Sequence, residues 1–402
     1  MIRNKKNKPY AFVLGTGPNA IGVVRSLGRE GVPVYAVGHE PGLTGTSRYC
    51  KTLISPNVEN EENIFLEFLC DKNKVSGKKG VLFPTGDAYV AFVSKYRNQL
   101  ESYFTFEMTD LNTMNKLLNK KTQYQLAESI GIKIPKSYYP KNMKDIEDIA
   151  EKMNYPVIIK GASTITWRKQ YTVKKLFQSN TSQDLLKIFK EINKYNIDVI
   201  IQESILGPDN ACYKLCAYMD ENSNPLLVFT LQKIRNYPYH FGVGSVVESG
   251  YFPKVAELGL KYLKGIGYKG IGSVEFKRDQ RDDQLKMIEL NSRLWQQNSL
   301  ASACGINFPY TMYRRLTGES VEMNKEFKEG IKWVSMRMDF ASYMQYRGDG
   351  ELMLLNWLKS LRGKKVYEVF AWDDPRPFFS AIGYGFFIFF KIFKKICKVI
   401  KG

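Results

Sequence analysis

Glu275, Glu289, Asn291 and Arg293 are the residues whose types and spacing could do phosphate chemistry. All lie in the stretch Gly270 to Gln297, GIGSVEFKRDQRDDQLKMIELNSRLWQQ. Ser273 to Lys277 and Lys286 to Leu290 alternate apolar and polar residues on either side of an Asp/Arg/Gln run, the pattern of a β-hairpin. On that alternation Val274, Phe276, Ile288 and Leu290 share one face, and Glu275, Glu289, Asn291 and Arg293 share the other. A turn centred near Asp282 sets Glu275 opposite Glu289. Carboxylates paired across strands repel, and a divalent cation bound by oxygen ligands relieves the repulsion. Asn291 adds a third oxygen, and Arg293 adds a cation suited to holding a phosphate or stabilising its transition state. The alternative is a solvated ladder whose outer face is acidic.

Val274-Glu275-Phe276, followed by Ile288-Glu289-Leu290-Asn291-Ser292-Arg293, resembles the Mg²⁺ hairpin of the ATP-grasp enzymes, the superfamily of biotin carboxylase, carbamoyl-phosphate synthetase and D-alanine ligase. That resemblance implies that Glu275, Glu289 and Asn291 hold two ions, Mg²⁺ or Mn²⁺, on the phosphates of ATP, and that Arg293 faces an acyl phosphate.

The elements that must surround such a hairpin are legible upstream. Tyr155 to Gly161, YPVIIKG, is an apolar strand that ends by exposing Lys160 beside a glycine; this suits a phosphate-binding lysine, as in the ATP-binding strand of the family. Met114 to Gly131 reads as one helix, with Leu117, Leu118, Leu126, Ala127 and Ile130 on one face, stopped by Gly131 and Pro135. Lys120 on it reads alone as a solvent-facing lysine, and the resemblance implies a contact with ATP phosphates. After Gly161 the chain departs from the glycine run of biotin carboxylase-like members. Ala162 to Gln170 instead offers small hydroxyl residues with Arg168 and Lys169, a Trp-Arg lid like that of ATP-grasp ligases from polysaccharide gene clusters. Its backbone cannot approach a triphosphate as closely as glycine permits.

Asp198 to Glu203 is a strand running into Gln202-Glu203-Ser204-Ile205, which resembles the hinge where ATP-grasp enzymes hold adenine and ribose; Asp209 is a further candidate there. Leu226 to Gln232 leads into Lys233 to His240. Arg235 is expected to bind a substrate carboxylate or the transferred phosphoryl group, and Lys233 reads equally as a solvated basic edge. His240 is read as structural.

At the N-terminus, Tyr10 to Leu14, the loop Gly15 to Gly22 (GTGPNAIG), a helix through Leu27 and the strand Val34 to Val37 form a βαβ unit. Gly15, Gly17 and Gly22 with Glu40 admit a dinucleotide-binding reading, hence an NAD(P)-dependent oxidoreductase as alternative. The ATP-grasp resemblance implies instead a Rossmann-like unit that helps bind the non-nucleotide substrate. Val81 to Pro84 makes another strand, and Asp87 after it is either a helix N-cap or a substrate contact.

At 402 residues, 44% apolar and 25% charged, the chain suits two or three soluble enzyme domains. The net charge of +19 comes from scattered lysines and suggests attraction to nucleotide, acidic substrate or anionic lipid rather than to nucleic acid. The six cysteines form no CxxC pair, and the histidines are only His39 and His240, so free thiols in a cytoplasm, without a signal peptide, are expected. The expected fold is α/β, α+β in the ATP-grasp part. It comprises a Rossmann-like pre-ATP-grasp domain over 1–110, an ATP-grasp domain over 111–325 with a lid at about 125–200, and a C-terminal extension over 326–402, of which 331–375 gives no signal.

Phe378 to Phe393 is apolar but interrupted by Gly383, Gly385 and Lys391, too short to span a bilayer. With Lys394, Lys395, Lys398 and Lys401 it suits an interfacial helix docked on an anionic membrane; packing on the protein itself or on a partner subunit is the alternative. The activity expected is ligation of a small-molecule carboxylate to an amine through an acyl phosphate, on polysaccharide or peptidoglycan precursors, with a homodimer as one assembly. A membrane-docked module that binds ATP without turning it over is the non-enzymatic alternative.

Overall fold

A computed structural model describes residues 8–74, 77–172 and 174–383. Its strands fall into sheets in chain order. The first contains β1 (Ala11–Leu14), β2 (Val34–Gly38), β3 (Lys51–Ile54), β4 (Gly80–Pro84) and β5 (Phe104–Thr105), all parallel, in the order β3-β2-β1-β4-β5. Its central strand β1 is buried along its whole length, the near-continuous apolar run that a sheet covered on both faces requires. Because the order turns back at β1 and β4, the loops Gly15–Gly17 and Thr85–Asp87 open a crevice at the carboxyl ends of these strands.

The second sheet contains β6 (Ser137–Tyr138), β7 (Val157–Gly161), β8 (Phe177–Ser179) and β9 (Val199–Glu203), ordered β6-β9-β7-β8. Helices Met143–Ala150 and Ser182–Asn193 cover one face of it, around Ile146, Trp167, Leu185 and Phe189. The third is antiparallel apart from its last pair and contains β10 (Cys212–Met219), β11 (Pro225–Tyr237), β12 (Val243–Ser249), β13 (Gly270–Asp279), β14 (Gln284–Asn291), β15 (Lys332–Val334) and β16 (Lys365–Tyr367), ordered β14-β13-β10-β11-β12-β15-β16.

The first and third sheets share one core. Helix Pro18–Arg29 buries Ala20, Val23, Val24 and Leu27 against Leu294, Trp295, Leu300 and Met312. The glycine-rich loop serves this junction: a Cβ on Gly22 would collide with Asn298, and Asn19 Nδ2 donates to Thr85 O (3.0 Å) and Leu294 O (3.3 Å). The glycine read as a dinucleotide fingerprint position is therefore a packing contact between sheets.

The helix expected over Met114 to Gly131 is broken into Leu111–Leu117 and Lys120–Ser129. Asn119 is extended and its side chain caps the second helix by accepting from Lys121 N–H, which ends the first. The segment 331–375, silent in the sequence, adds β15 and β16 to the third sheet with helices Met336–Gly348 and Leu354–Ser360 between them. The aromatic and basic tail lies outside the described residues beyond Gly383. Among the described residues no helix is long and apolar enough to cross a membrane, and no disulfide forms.

The extension is stapled back to the first sheet. Arg25 Nε donates to Asp374 Oδ2 at 3.0 Å, and the same carboxylate accepts from Ser47 Oγ (2.7 Å) and Arg48 N (2.9 Å). Arg25 and Asp374 are buried, whereas the neighbouring Arg29–Asp373 pair is exposed. Asp374→Ala should therefore cost about 3–5 kcal/mol in urea unfolding, because it strands a buried guanidinium, and Asp373→Ala less than about 1 kcal/mol.

Candidate active site

Strand register decides which charges meet on the third sheet. Glu275 of β13 lies opposite Glu289 of β14 on one side and Lys214 of β10 on the other. A bulge after Glu275 sets Phe276 against Met287. Met287 thereby joins Val274, Phe276 and Leu290 in the core, and Ile288, expected among them, is only half-buried.

Lys214 Nζ lies 2.8 Å from Glu275 Oε1, and Lys233 Nζ lies 2.7 Å from Oε2. All of these side chains are buried. Burial works against the Glu275 carboxylate, but Lys214 and Lys233 outweigh it and hold its pKa below the usual range. Burial likewise opposes the Lys233 ammonium, and Glu275 reverses that and raises its pKa. The cross-strand repulsion is thus answered first by lysines, and a metal ion is not needed to account for the pair. Lys233 belongs to this cluster and is no solvated edge.

Glu289 accepts from Asn291 Nδ2 at 2.9 Å, and Lys120 Nζ stands 4.0 Å away. Burial pushes its carboxyl up and Glu275 adds to that, yet Lys120, the Asn291 hydrogen bond and Lys160 leave it lowered. Glu275, Glu289 and Asn291 offer only oxygen ligands, the donor type magnesium prefers, and Glu289 is partly open to the cleft. Among the described residues no group of three or more His, Cys, Asp or Glu converges. An ion held here would need Asn291, waters and phosphate oxygens to complete its shell, as magnesium does on nucleotides.

The second sheet and the helix after Asn119 supply the facing wall. Lys160 Nζ donates to Tyr124 Oη (2.7 Å) and Gln202 Oε1 (3.0 Å), and Gln202 Nε2 donates to Ser137 Oγ. Burial holds the Lys160 ammonium down at about 8, with Glu289 pulling the other way. The break at Asn119 puts Lys120 at the first position of its helix, where Nζ donates to Thr164 Oγ1 at 2.8 Å. Asp87, Lys120, Thr164, Glu289, Asn291 and Ser292 line one cleft. Arg293 is held at its edge: Nε donates to Asp87 Oδ1 at 2.6 Å and Nη2 to Asn291 Oδ1 at 3.2 Å. Gly86, not Asp87, is the N-cap of helix Asp87–Lys95, so the Asp87 carboxylate is available to Arg293.

The segment Ala162 to Gln170 contains a short helix, Thr164–Gln170, capped by Ser163 and pinned by Trp167, whose indole N–H donates to Lys174 O at 2.7 Å. A Cβ on Gly161 would strike the Trp167 side chain, which explains the glycine after Lys160. Arg168 and Lys169 are exposed on that helix, and Arg168 contributes to holding the Asp87 pKa down.

Other expected site residues lie elsewhere. Strand alternation turns Glu203 to the face opposite Lys160 and Gln202, where its Oε1 accepts from Asn154 Nδ2 (3.2 Å). Ile205 is half-buried just beyond. Asp209 is buried and accepts from the Tyr346 hydroxyl and from His240 N–H (2.9 Å). Arg235, expected to bind a substrate carboxylate, is committed to Asp339: Nε to Oδ1 at 2.7 Å and Nη2 to Oδ2 at 3.1 Å, both residues buried. A bulge between Lys233 and Arg235 breaks the register between these neighbours, and Arg235 ties β11 to the extension instead of joining the cleft. Lys214, Tyr124 and Thr164 were not legible as site residues.

Residues 119–323 match the model of the family described as carbamoyl-phosphate synthase L chain, ATP binding domain. The chain belongs to this family. It is thereby one of the ATP-grasp proteins, which bind ATP and magnesium. It is 24% identical over 348 residues to a D-aspartate ligase of Enterococcus faecium, covering 82% of this chain and 80% of that one. It is 23% identical over 317 residues to the carbamoyl phosphate synthase large chain of Methanosarcina barkeri, covering 72% of this chain but spanning only 28% of that relative's length. The biotin carboxylase domain of Hydrogenobacter thermophilus 2-oxoglutarate carboxylase, solved with MgADP and bicarbonate, superposes with a TM-score of 0.60 at 17% identity, over 78% of this chain and 72% of that one.

In this ATP-grasp chain the depressed Lys160 pKa has a measurable consequence. If Lys160 holds a phosphate it does so as the ammonium, and the free protein then takes up a proton on binding once the pH passes about 8. Calorimetric affinity for a non-hydrolysable ATP analogue should fall about tenfold between roughly pH 7 and pH 9. Lys160→Ala should weaken binding more than Lys120→Ala, and affinities equal to the unsubstituted protein for both would remove both lysines from the nucleotide site. Arg235→Met should lower the urea midpoint by an amount equivalent to about 3 kcal/mol while nucleotide affinity holds.

Proposed function

We propose that this chain ligates a carboxylate to an amine, releasing ADP and phosphate through an acyl-phosphate intermediate. The observation that carries the reading is the convergence on one cleft of Lys120, Glu289, Asn291 and Arg293 with Asp87, brought from the crevice of the first sheet. The proposed division of labour gives 1–110 the non-nucleotide substrate, 111–325 the nucleotide, with a lid at about 125–200, and 326–402 the support behind β11 and β12.

Lys160 and Lys120 lower the charge on the triphosphate, Arg168 and Lys169 cover it from the lid helix, and Gln202, Ile205 and the backbone of Glu203 border the base. Two divalent ions, magnesium or manganese, held by Glu275, Glu289 and Asn291 would supply further charge neutralisation on the phosphates. Arg293, oriented by Asp87 and Asn291, stabilises negative charge on the transferred phosphoryl group and then on the tetrahedral adduct. In atoms, a substrate carboxylate oxygen bonds to the γ-phosphorus as the bond to the β,γ-bridging oxygen breaks. The amine nitrogen then bonds to the acyl carbon as phosphate departs. No protein nucleophile is required, so the buried cysteines are bystanders.

Similarity to the D-aspartate ligase of Enterococcus faecium supports an amino acid as the carboxylate, and we place the amine on a polysaccharide or peptidoglycan precursor. The sequence beyond Gly383, with its alternating phenylalanines and lysines, suits peripheral attachment to an anionic membrane, and a homodimer is the assembly we favour. A screen of amino acids and sugar acids for ADP release with Mg²⁺ and ATP tests the activity. Release that no carboxylate stimulates would overturn it. Glu289→Gln should reduce stimulated release by at least about 100-fold with an unchanged circular dichroism spectrum, and unaltered turnover would remove Glu289 from the metal site.

A further inference from the structure

Most of the large hydrophobic side chains exposed among the described residues fall between Met336 and Ile382. They are not scattered. Met336, Phe340 and Met344 recur every fourth residue along the outer face of helix Met336–Gly348, one above the other. The opposite face is buried and holds Asp339 and Tyr346, the partners of Arg235 and Asp209. Helix Leu354–Ser360 buries none of its residues and exposes Leu354, Leu355 and Leu358, Leu355 to 70%. The two helices form one surface: Tyr343 stacks on Trp357 with ring centroids 4.6 Å apart, Phe340 meets Trp357 at 6.3 Å, and the Trp357 indole N–H donates to Asp339 Oδ2 at 2.8 Å.

We propose that this two-helix plate is a docking surface for an anionic lipid bilayer, separate from the tail beyond Gly383. Its rim is cationic. Arg337, Arg347, Lys359, Arg362 and Lys364 are exposed, and no ion pair among the described residues engages them; the exposed acids of the segment 336–364 are Asp349 and Glu351. Apolar side chains ringed by free cations match an interfacial layer of acyl chains beneath anionic headgroups, whereas a partner protein's apolar core would leave the cations unanswered. The same chemistry continues along the chain, because the sequence after Gly383, YGFFIFFKIFKKICKVIKG, again mixes phenylalanine and isoleucine with lysine. Plate and tail thus offer two contacts of one kind, and two weak contacts on one chain reinforce each other.

The test uses co-sedimentation with phosphatidylglycerol and with phosphatidylcholine vesicles. The proteins are the full chain, a chain ending at Pro377, and each of these carrying Phe340→Ser, Leu355→Ser and Leu358→Ser. A second set carries Lys359→Glu, Arg362→Glu and Lys364→Glu, which leaves the apolar residues in place. The chain ending at Pro377 should still pellet with phosphatidylglycerol, salt should weaken this, and either set of substitutions should reduce it by at least about tenfold. Loss of all binding on ending the chain at Pro377 would assign docking to the tail alone and overturn the plate. Equal pelleting of substituted and unsubstituted truncated chains would overturn it too. Substitutions that abolish self-association in sedimentation velocity and leave vesicle binding unchanged would show that the plate faces a second copy. A plate that binds an apolar dye only after tail removal, with vesicle binding insensitive to the substitutions, would show that the tail covers it. ADP release in free solution is expected to be the same for all variants, so a failed ligase reading and a failed plate are told apart.

Discussion

A carboxylate buried between two ammonium groups is the constraint on which the site depends. Glu275 could not stay ionised at its depth without Lys214 and Lys233, and Glu275 in turn holds the buried Lys233 ammonium charged. The contact spans adjacent strands: β10 pairs with β13 on one edge and β11 on the other, so one charge cluster fixes their relative register. A slip of one residue would carry Glu275 to the apolar face beside Val274 and Phe276. Glu289 and Asn291 are placed by that same register on β14, and Arg293 follows where the strand runs out.

Around this centre, the first sheet and the extension act as braces from opposite sides. Helix Pro18–Arg29 presses on Trp295 and Leu300, just beyond Arg293, and Asp87 reaches Arg293 from the end of β4. Behind β11, Asp339 holds Arg235 and Tyr346 holds Asp209. The Arg25–Asp374 contact then returns the extension to the helix from which the first brace starts. A chain of buried polar contacts of this kind favours one arrangement of the sheets, since each broken member would leave a charge without a partner.

How much of this was legible depended on the range of the interaction. Glu275 opposite Glu289 could be read because hairpin pairing is local and alternation alone fixes the face. The apolar strand ending in Lys160 and the βαβ start were legible for the same reason. The neutralisation of Glu275 by Lys214 was not: its partner lies some sixty residues upstream, and antiparallel register between distant strands leaves no periodic trace. Arg235 looked functional because an arginine in a polar run has no visible partner, and its partner Asp339 sits in a segment whose pattern is irregular. Helix Met336–Gly348 was unreadable because its exposed face is apolar while its buried face mixes Asp339 and Ser342 with Met338, Tyr343 and Tyr346, which leaves none of the amphipathic pattern by which surface helices are recognised.

On the function proposed above, the segment after Lys160 would keep the fold while changing the means of holding phosphate. Where glycines bring backbone N–H groups close to a phosphate, the helix Thr164–Gln170 uses its hydrogen bonds internally and cannot offer them along its length. In that reading side chains would carry the interaction: Thr164 is joined to Lys120, and Arg168 and Lys169 stand on the exposed side. Trp167 makes this possible by anchoring the helix against Gly161, directly after the strand that bears Lys160. Such a helix would present long cationic side chains to phosphate rather than a flexible glycine loop. Its grip should therefore depend on ionic strength more than on backbone fit, since side-chain charges are screened where oriented amides are less so.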